Sequence, residues 1–376
     1  AGSSTIASIR LGQKDMKGAT EILSHTLMLC ITNAFFFGIL SFIFLDNILI
    51  FFGASPDTLP YARSFMQVIL LGTPITYTMI GLNNVMRATG YPKKAMLTSM
   101  VTVVANIILA PIFIFHFEWG MRGAATATLI SQLIGMVWVL SHFCKKESTV
   151  HFEGKIWKVK RRIVESIFAI GMSPFLMNSC ACLVVILINR GLGQYGGDLA
   201  IGAYGIVNRV LFIFIMIVIG LNQGMQPIAG YNYGSQDYHR VLKVLRYTLL
   251  WGTLITTTGF LIGELLPELC VRAFTTDEEL TDIAVRGMRI VVIFYPLIGM
   301  QMVTTNFFQS IGQASKSIFL SLTRQLLFLI PLLLTLPQFW GVKGVWLAMP
   351  ISDAIACIVA GIMLITAYRK FKKLAV

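Results

Sequence analysis

The sequence predicts an all-α, polytopic membrane protein of two pseudo-symmetric six-helix lobes. Three observations predict it: apolar runs of membrane-spanning length, basic residues gathered on alternate connections, and a unit that recurs 222 residues along the chain. Of the 376 residues, 56% are hydrophobic and only 12% charged, with a mean hydropathy of +0.76. Soluble domains carry about 25% charged residues. The chain therefore lacks the polar surface required by a soluble enzyme, a nucleic-acid-binding domain or a disulfide-stapled secreted module.

The chain opens in the short apolar run AGSSTIASI, read as the end of a helix whose beginning is absent. A hydrocarbon core of about 30 Å takes about 20 residues of helix. Runs of that order cover 22–44, 61–85, 95–115, 123–143, 163–188, 200–228, 244–266, 283–307, 317–336 and 342–367, about ten complete spans. Gly/Pro-rich turns such as TGYPKK and GYNYGSQD separate several of them. Alternate connections, from Arg10, Lys14 and Lys17 to Arg369, Lys370, Lys372 and Lys373, hold 20 of the 30 basic residues, whereas an acidic run (Asp277 to Asp282) lies in the opposite set. The positive-inside rule puts the basic set in the cytoplasm, with the C-terminus and the linker 145–162. The net charge of +13 is thus a matter of topology and contact with anionic lipid, not of nucleic acid. The expected divisions are an incomplete N-terminal lobe (1–144, helices 2–6), a basic linker (145–162) and a C-terminal lobe (163–376, helices 7–12).

Gly2, Ala7, Gly12 and Asp15 recur as Gly224, Ala229, Gly234 and Asp237. At the same spacing Pro74 becomes Pro296, Asn84 becomes Asn306, Gly90 becomes Gly312 and Lys94 becomes Lys316; past one deletion, GMRG from Gly120 matches GVKG from Gly341. The shift covers about six helices, an even number, so both copies should cross the membrane in the same direction and enclose a central cleft. The second copy begins near Ile163, which implies that about sixty residues of the first precede residue 1. Gly12, Asp15, Gly234 and Asp237 read as tight turns. Their glycine-rich surroundings lack the Lys-Ser/Thr of a phosphate-binding loop.

The repeated G-x4-A-x4-G-x2-D segment, YGGDLAIGAYGIVNRV, QPIAGYNYG, and NIILAPIFIF followed by GAATATLISQ resemble the multidrug and toxic compound extrusion (MATE) transporters, in their prokaryotic drug-exporter branch. The resemblance implies twelve helices, a V-shaped cavity, and export of organic, often cationic compounds in exchange for H⁺ or Na⁺, with no cofactor. It also implies a first-lobe coupling site of a first-helix Asp, an Asn and an Asp one turn apart, and a Thr. Asn106 and Thr128 match the Asn and Thr. Ala110 stands where the second Asp belongs, and the first-helix Asp would fall before residue 1. A hard cation wants charged oxygen ligands; the loss of one carboxylate weakens the case for Na⁺ and favours H⁺.

Ionisable groups at membrane depth are costly and each needs an account. Asp353 reads as a protonation switch or as the fixed partner of Arg209 or Arg324. The two arginines cannot readily lose a proton and read as structural. Asn178, four residues after Pro174, reads as a cavity residue beside a loosened helix backbone. Met172, Phe175, Met216 and Met225 are expected to line an adaptable cavity for cations. Cys180 and Cys182, with no nearby His or third Cys, read as packing residues. No nucleophile–base pair or metal cluster points to an enzyme. The expected partners are small cationic organic substrates and membrane lipid, with the protein working as a monomer in the cell membrane. A flippase for a lipid-linked precursor shares the two-lobe plan but would want a more basic cavity. A non-transporting receptor or scaffold would show no substrate-dependent ion flux.

Overall fold

A computed structural model describes residues 1–52, 54–153 and 159–375. Lys155 and Lys158 of the basic linker lie outside the described residues. The chain divides into two compact units, Ala1–Ile167 and Phe168–Val376, and every ordered element is helical.

The first unit contains α1 (Gly2–Gly12), α2 (Met16–Ile43), the short α3 (Leu45–Phe51), α4 (Leu59–Leu71), α5 (Thr73–Ala88), α6 (Pro92–Pro111) and α7 (Gly120–Cys144). A π-helical turn, Ile112–His116, extends α6. α8 (Arg161–Gly234) begins in this unit and continues as the first element of the second. There follow α9 (Tyr238–Leu265), α10 (Pro267–Arg272), α11 (Glu278–Val292), α12 (Tyr295–Ser310), α13 (Ala314–Leu322), a π-helical stretch Thr323–Leu329 and α14 (Ile330–Leu374).

Among the described residues six helices are long and apolar enough to span a membrane, and eight segments are if each bent pair counts as one span. α8 is broken at Gly197 (φ 70°, ψ −167°) and α14 at Gly341 (φ 53°, ψ −131°), each break dividing a long helix into two and bringing the segments to ten. These backbone angles suit glycine, which has no Cβ to clash. The runs 61–85 and 283–307 were expected as single spans. Each lies on a broken one: α4 and α5 meet at 58°, α11 and α12 at 54°. Pro74 and Pro296 sit in the first turn after each bend, where a missing N–H is tolerated.

The repeat is written into the backbone of each unit. Asp15 N–H bonds the Arg10 carbonyl at 2.9 Å, and Asp237 N–H bonds the Asn232 carbonyl at 2.9 Å. Both Asp side chains then cap the following helix, Asp15 on Gly18 N–H (2.9 Å) and Asp237 on Arg240 N–H (3.1 Å). The left-handed residue that closes each preceding helix is Lys14 (φ 62°) and Gln236 (φ 62°), not a glycine. Gly12 and Gly234 are instead the last helical residues before the turn. Further along, Gly90 (φ 97°) matches Gly312 (φ 76°). Tyr91 N–H bonds the Met86 carbonyl as Gln313 N–H bonds that of Phe308.

In the first unit Ala7, Leu11, Ile22, Leu23, Leu82, Met86 and Phe143 form the core. The second unit holds one cluster around Ile188, Leu192, Tyr295 and Trp346 and another around Leu245, Phe307, Phe308 and Phe371. Large apolar side chains such as Phe36, Ile43, Ile107, Leu250 and Ile362 are exposed, as lipid-facing residues should be.

The part of the basic linker that is described folds onto the first unit. Val150 is buried in its core, Phe152 N–H bonds the Phe143 carbonyl (3.0 Å), and Thr149 N–H and hydroxyl meet the Tyr91 hydroxyl (3.2 and 3.0 Å). At its end Lys160 N–H donates to buried His25 Nε2 (2.9 Å), and Lys160 Nζ pairs with Glu21. Because an amide N–H only donates, Nε2 accepts, and the His25 proton sits on Nδ1, against the Glu21 carbonyl (2.7 Å).

Candidate functional site

The first unit brings together the two residues that match the coupling pattern. α6 carries Asn106 and α7 carries Thr128, and Asn106 Nδ2 donates to Thr128 Oγ1 at 3.1 Å. Thr128 Oγ1 donates in turn to the Ala124 carbonyl (3.0 Å), which fixes its rotamer. The helices approach closely because α7 carries glycine where they meet: a Cβ on Gly135 would lie 2.5 Å from Thr102 Cγ2. Ala110 follows Asn106 by one turn on α6 and adds no polar group. One turn beyond Thr128, Gln132 holds a buried Oε1 with no hydrogen-bond partner. Sequence reasoning passed over Gln132. The repeat could have found it, since the offset of the GMRG and GVKG segments aligns it with Asp353.

In the second unit Asp353 is paired. Arg324, in the π-helical stretch, donates Nε–H to Asp353 Oδ1 on α14 at 2.6 Å, with side-chain exposures of 25% and 5%. A guanidinium keeps its proton in proteins, so it compensates the carboxylate's charge in place. Tyr295 donates its hydroxyl to the Leu211 carbonyl (2.6 Å), and Cys357, one turn past Asp353, bonds the Leu297 carbonyl (3.2 Å). In the repeat, Arg324 and Asp353 occupy the places of Thr102 and Gln132, so an ion pair in one unit stands where neutral polar residues stand in the other. π-Helical insertions frequently mark functional sites.

Arg209 is not the partner of Asp353. It is exposed on α8 and makes no ion pair among the described residues. Asn178 is also exposed, and its Nδ2 donates to the Pro174 carbonyl (2.7 Å). Met172, Phe175 and Met216 are exposed, Phe175 at 58%. Met225 is not a lining residue: at 2% exposure it packs in the core with Val218 and Ala229. Another group missed in the sequence is a cluster of buried hydroxyls. Ser173, beside Pro174, meets Ser317 (2.7 Å) and Ser321 (3.0 Å), while Ser317 donates to the Thr305 carbonyl (3.1 Å). Among the described residues no group of three or more His, Cys, Asp or Glu could hold a metal ion.

Comparison with known proteins identifies the family. The MatE family model matches residues 1–112 and 170–335, well over half the chain. The chain belongs to the MATE family. "Multidrug export protein MepA" of Staphylococcus aureus (strain bovine RF122 / ET3-1) is 26% identical over 359 residues, covering 96% of this chain and 79% of the relative. The MepA of Staphylococcus haemolyticus (strain JCSC1435) is equally similar. Among solved structures, the "MATE multidrug transporter DinF-BH", in complex with a bound compound, is 33% identical, with a TM-score of 0.89, covering 97% of this chain and 82% of that one. A MATE crystal structure in the bent conformation superposes with a TM-score of 0.92 over 100% of this chain and 84% of that one, at 23% identity. This MATE chain is a transporter with the all-helical, two-lobe fold of its family. Its relatives are transporters, not enzymes.

Proposed function

We propose that this protein is a secondary active antiporter that exports amphiphilic, cationic organic compounds across the cell membrane in exchange for H⁺ or Na⁺ by alternating access. One observation carries the reading: a multidrug transporter whose structure was solved with a compound bound shares 33% of its residues over 97% of this chain. Exposed Met172, Phe175 and Met216, with Asn178, supply the adaptable apolar and polar surface that binding of varied cations needs. The linker and C-terminus lie in the cytoplasm, and a single copy transports.

An ion drives conformational change only through different affinities for the two states. In the first lobe the Asn106–Thr128 contact belongs to the coupling site. Neither side chain titrates, so the proton is taken by a carboxylate that the contact orients, while Ala110 leaves Na⁺ one charged ligand short. In the second lobe Asp353 acts as the protonation switch, with Arg324 released when the carboxylate takes a proton. The test is ethidium accumulation in cells lacking their own exporters. Expression of the full-length protein should lower steady-state ethidium, an ionophore that collapses the pH gradient should abolish the effect, and Asn106→Ala should weaken it. Unchanged accumulation on expression would refute the exporter reading.

A further inference from the structure

We propose that the first unit carries a binding site for the phosphodiester headgroup of an anionic phospholipid. A pocket of about 340 Å³ lies where the end of α1, the start of α2 and the first turn of α8 meet. Arg10, Lys17 and Arg162 line it, with Asp15 and Glu21 as its acidic members. Both acids are already engaged: Asp15 pairs with Arg10 at 2.9 Å and caps α2, and Glu21 pairs with Lys160. Lys17 and Arg162 make no ion pair among the described residues, so the pocket keeps two uncompensated cations. Ile6, Ile22 and Ile163 give it an apolar wall.

Depth and charge select the ligand. The spanning helices α2 and α8 begin at Met16 and Arg161, which places the pocket at the boundary between hydrocarbon and headgroups. A phosphodiester there meets Lys17 and Arg162 while its glycerol and first methylenes meet the isoleucines. The turn does not need Lys17. Its repeated copy keeps the same backbone and the same Asp cap with His239 in place of Lys17, while Arg240 replaces Arg10 as the partner of the aspartate. Lys17 is therefore additional to the fold of the turn. A headgroup bridging Lys17 and Arg162 ties the first turn of α8 to α2, beside the Lys160–His25 and Lys160–Glu21 contacts.

The test is native mass spectrometry of the detergent-purified full-length protein titrated with phosphatidylglycerol or phosphatidylcholine. Phosphatidylglycerol should be retained preferentially. K17Q/R162Q should bind it more weakly by about fivefold for each cation removed, whereas K17R/R162K should bind as the parent does. K372Q/K373Q, which removes the same charge from the end of α14, should also bind as the parent does. Parental binding by K17Q/R162Q overturns the proposal, as does equal loss in K372Q/K373Q, which would mark nonspecific attraction. Competition by millimolar inorganic phosphate as strong as that by lipid would assign the pocket to free phosphate and overturn it too.

Discussion

Lys14 and Gln236, 222 residues apart, both hold a left-handed backbone with φ of 62°, and each hands the chain to an aspartate that caps the next helix. Neither is a glycine, although glycine is the residue best suited to that conformation. The duplicated turn has thus kept its geometry while its side chains diverged.

The turn geometry makes a stability prediction. An L-residue in the left-handed region costs about 1–2 kcal/mol, and glycine's extra unfolded-state freedom returns about 0.5–1 of that. Lys14→Gly and Gln236→Gly should each be neutral or stabilise by up to about 1.5 kcal/mol. Gly90→Ala adds a Cβ that meets nothing within 4 Å, so the same two terms apply with opposite sign and it should be neutral or cost up to about 1.5 kcal/mol. Unfolding in detergent measures both; a stabilising Gly90→Ala contradicts the assigned backbone.

Removing one partner of a buried ion pair strands the other charge, at a cost of about 3–5 kcal/mol. Asp353→Leu and Arg324→Leu should each destabilise the second unit by that order, and the double variant by less than either. A double-mutant cycle on thermal unfolding reads the coupling. Additive losses would mean that the two side chains do not share one compensated charge.

Met225 and Met172 should separate packing from binding. Met225→Ala empties a core position and should cost about 2–5 kcal/mol. Met172→Ala, at an exposed position, should leave stability within about 0.5 kcal/mol and change the relative export of substrates of different size. Unfolding midpoints and a panel of dyes check the pair, and an unchanged substrate profile for Met172→Ala would remove it from the binding surface.

In the connection after α2, the exposed Asp46 accepts from Arg63 at the start of α4, which holds its carboxyl below the ordinary range. A carboxylate depressed on folding adds stability above its unfolded value, about 3.9, and loses it as pH falls through the folded value. Asp46→Asn should therefore lower stability slightly at neutral pH and flatten the decline below pH 4. Melting temperatures from pH 3 to 7 give the comparison, and parallel curves for both proteins would leave the pair without effect.

The helical spans, their repeat and their family were legible because lipid forces long apolar runs and because a constant offset survives side-chain change. The bends before Thr73 and Tyr295 were not legible, since hydropathy is blind to helix direction. Asp353 was recognisable as costly, but the choice between Arg209 and Arg324 needed coordinates. Met225 shows the limit of residue type: the same thioether serves a core or a binding surface, and only burial tells which. Gln132 was within reach of the repeat, though its uncharged amide drew no notice.

The most direct test reconstitutes the full-length protein in liposomes and follows a fluorescent cation under separately imposed H⁺ and Na⁺ gradients. The account predicts counter-transport of dye driven by the H⁺ gradient, accompanied by proton movement that depends on the dye and is diminished in Asn106→Ala. Dye movement indifferent to both gradients, or proton flux unaffected by dye, would contradict it.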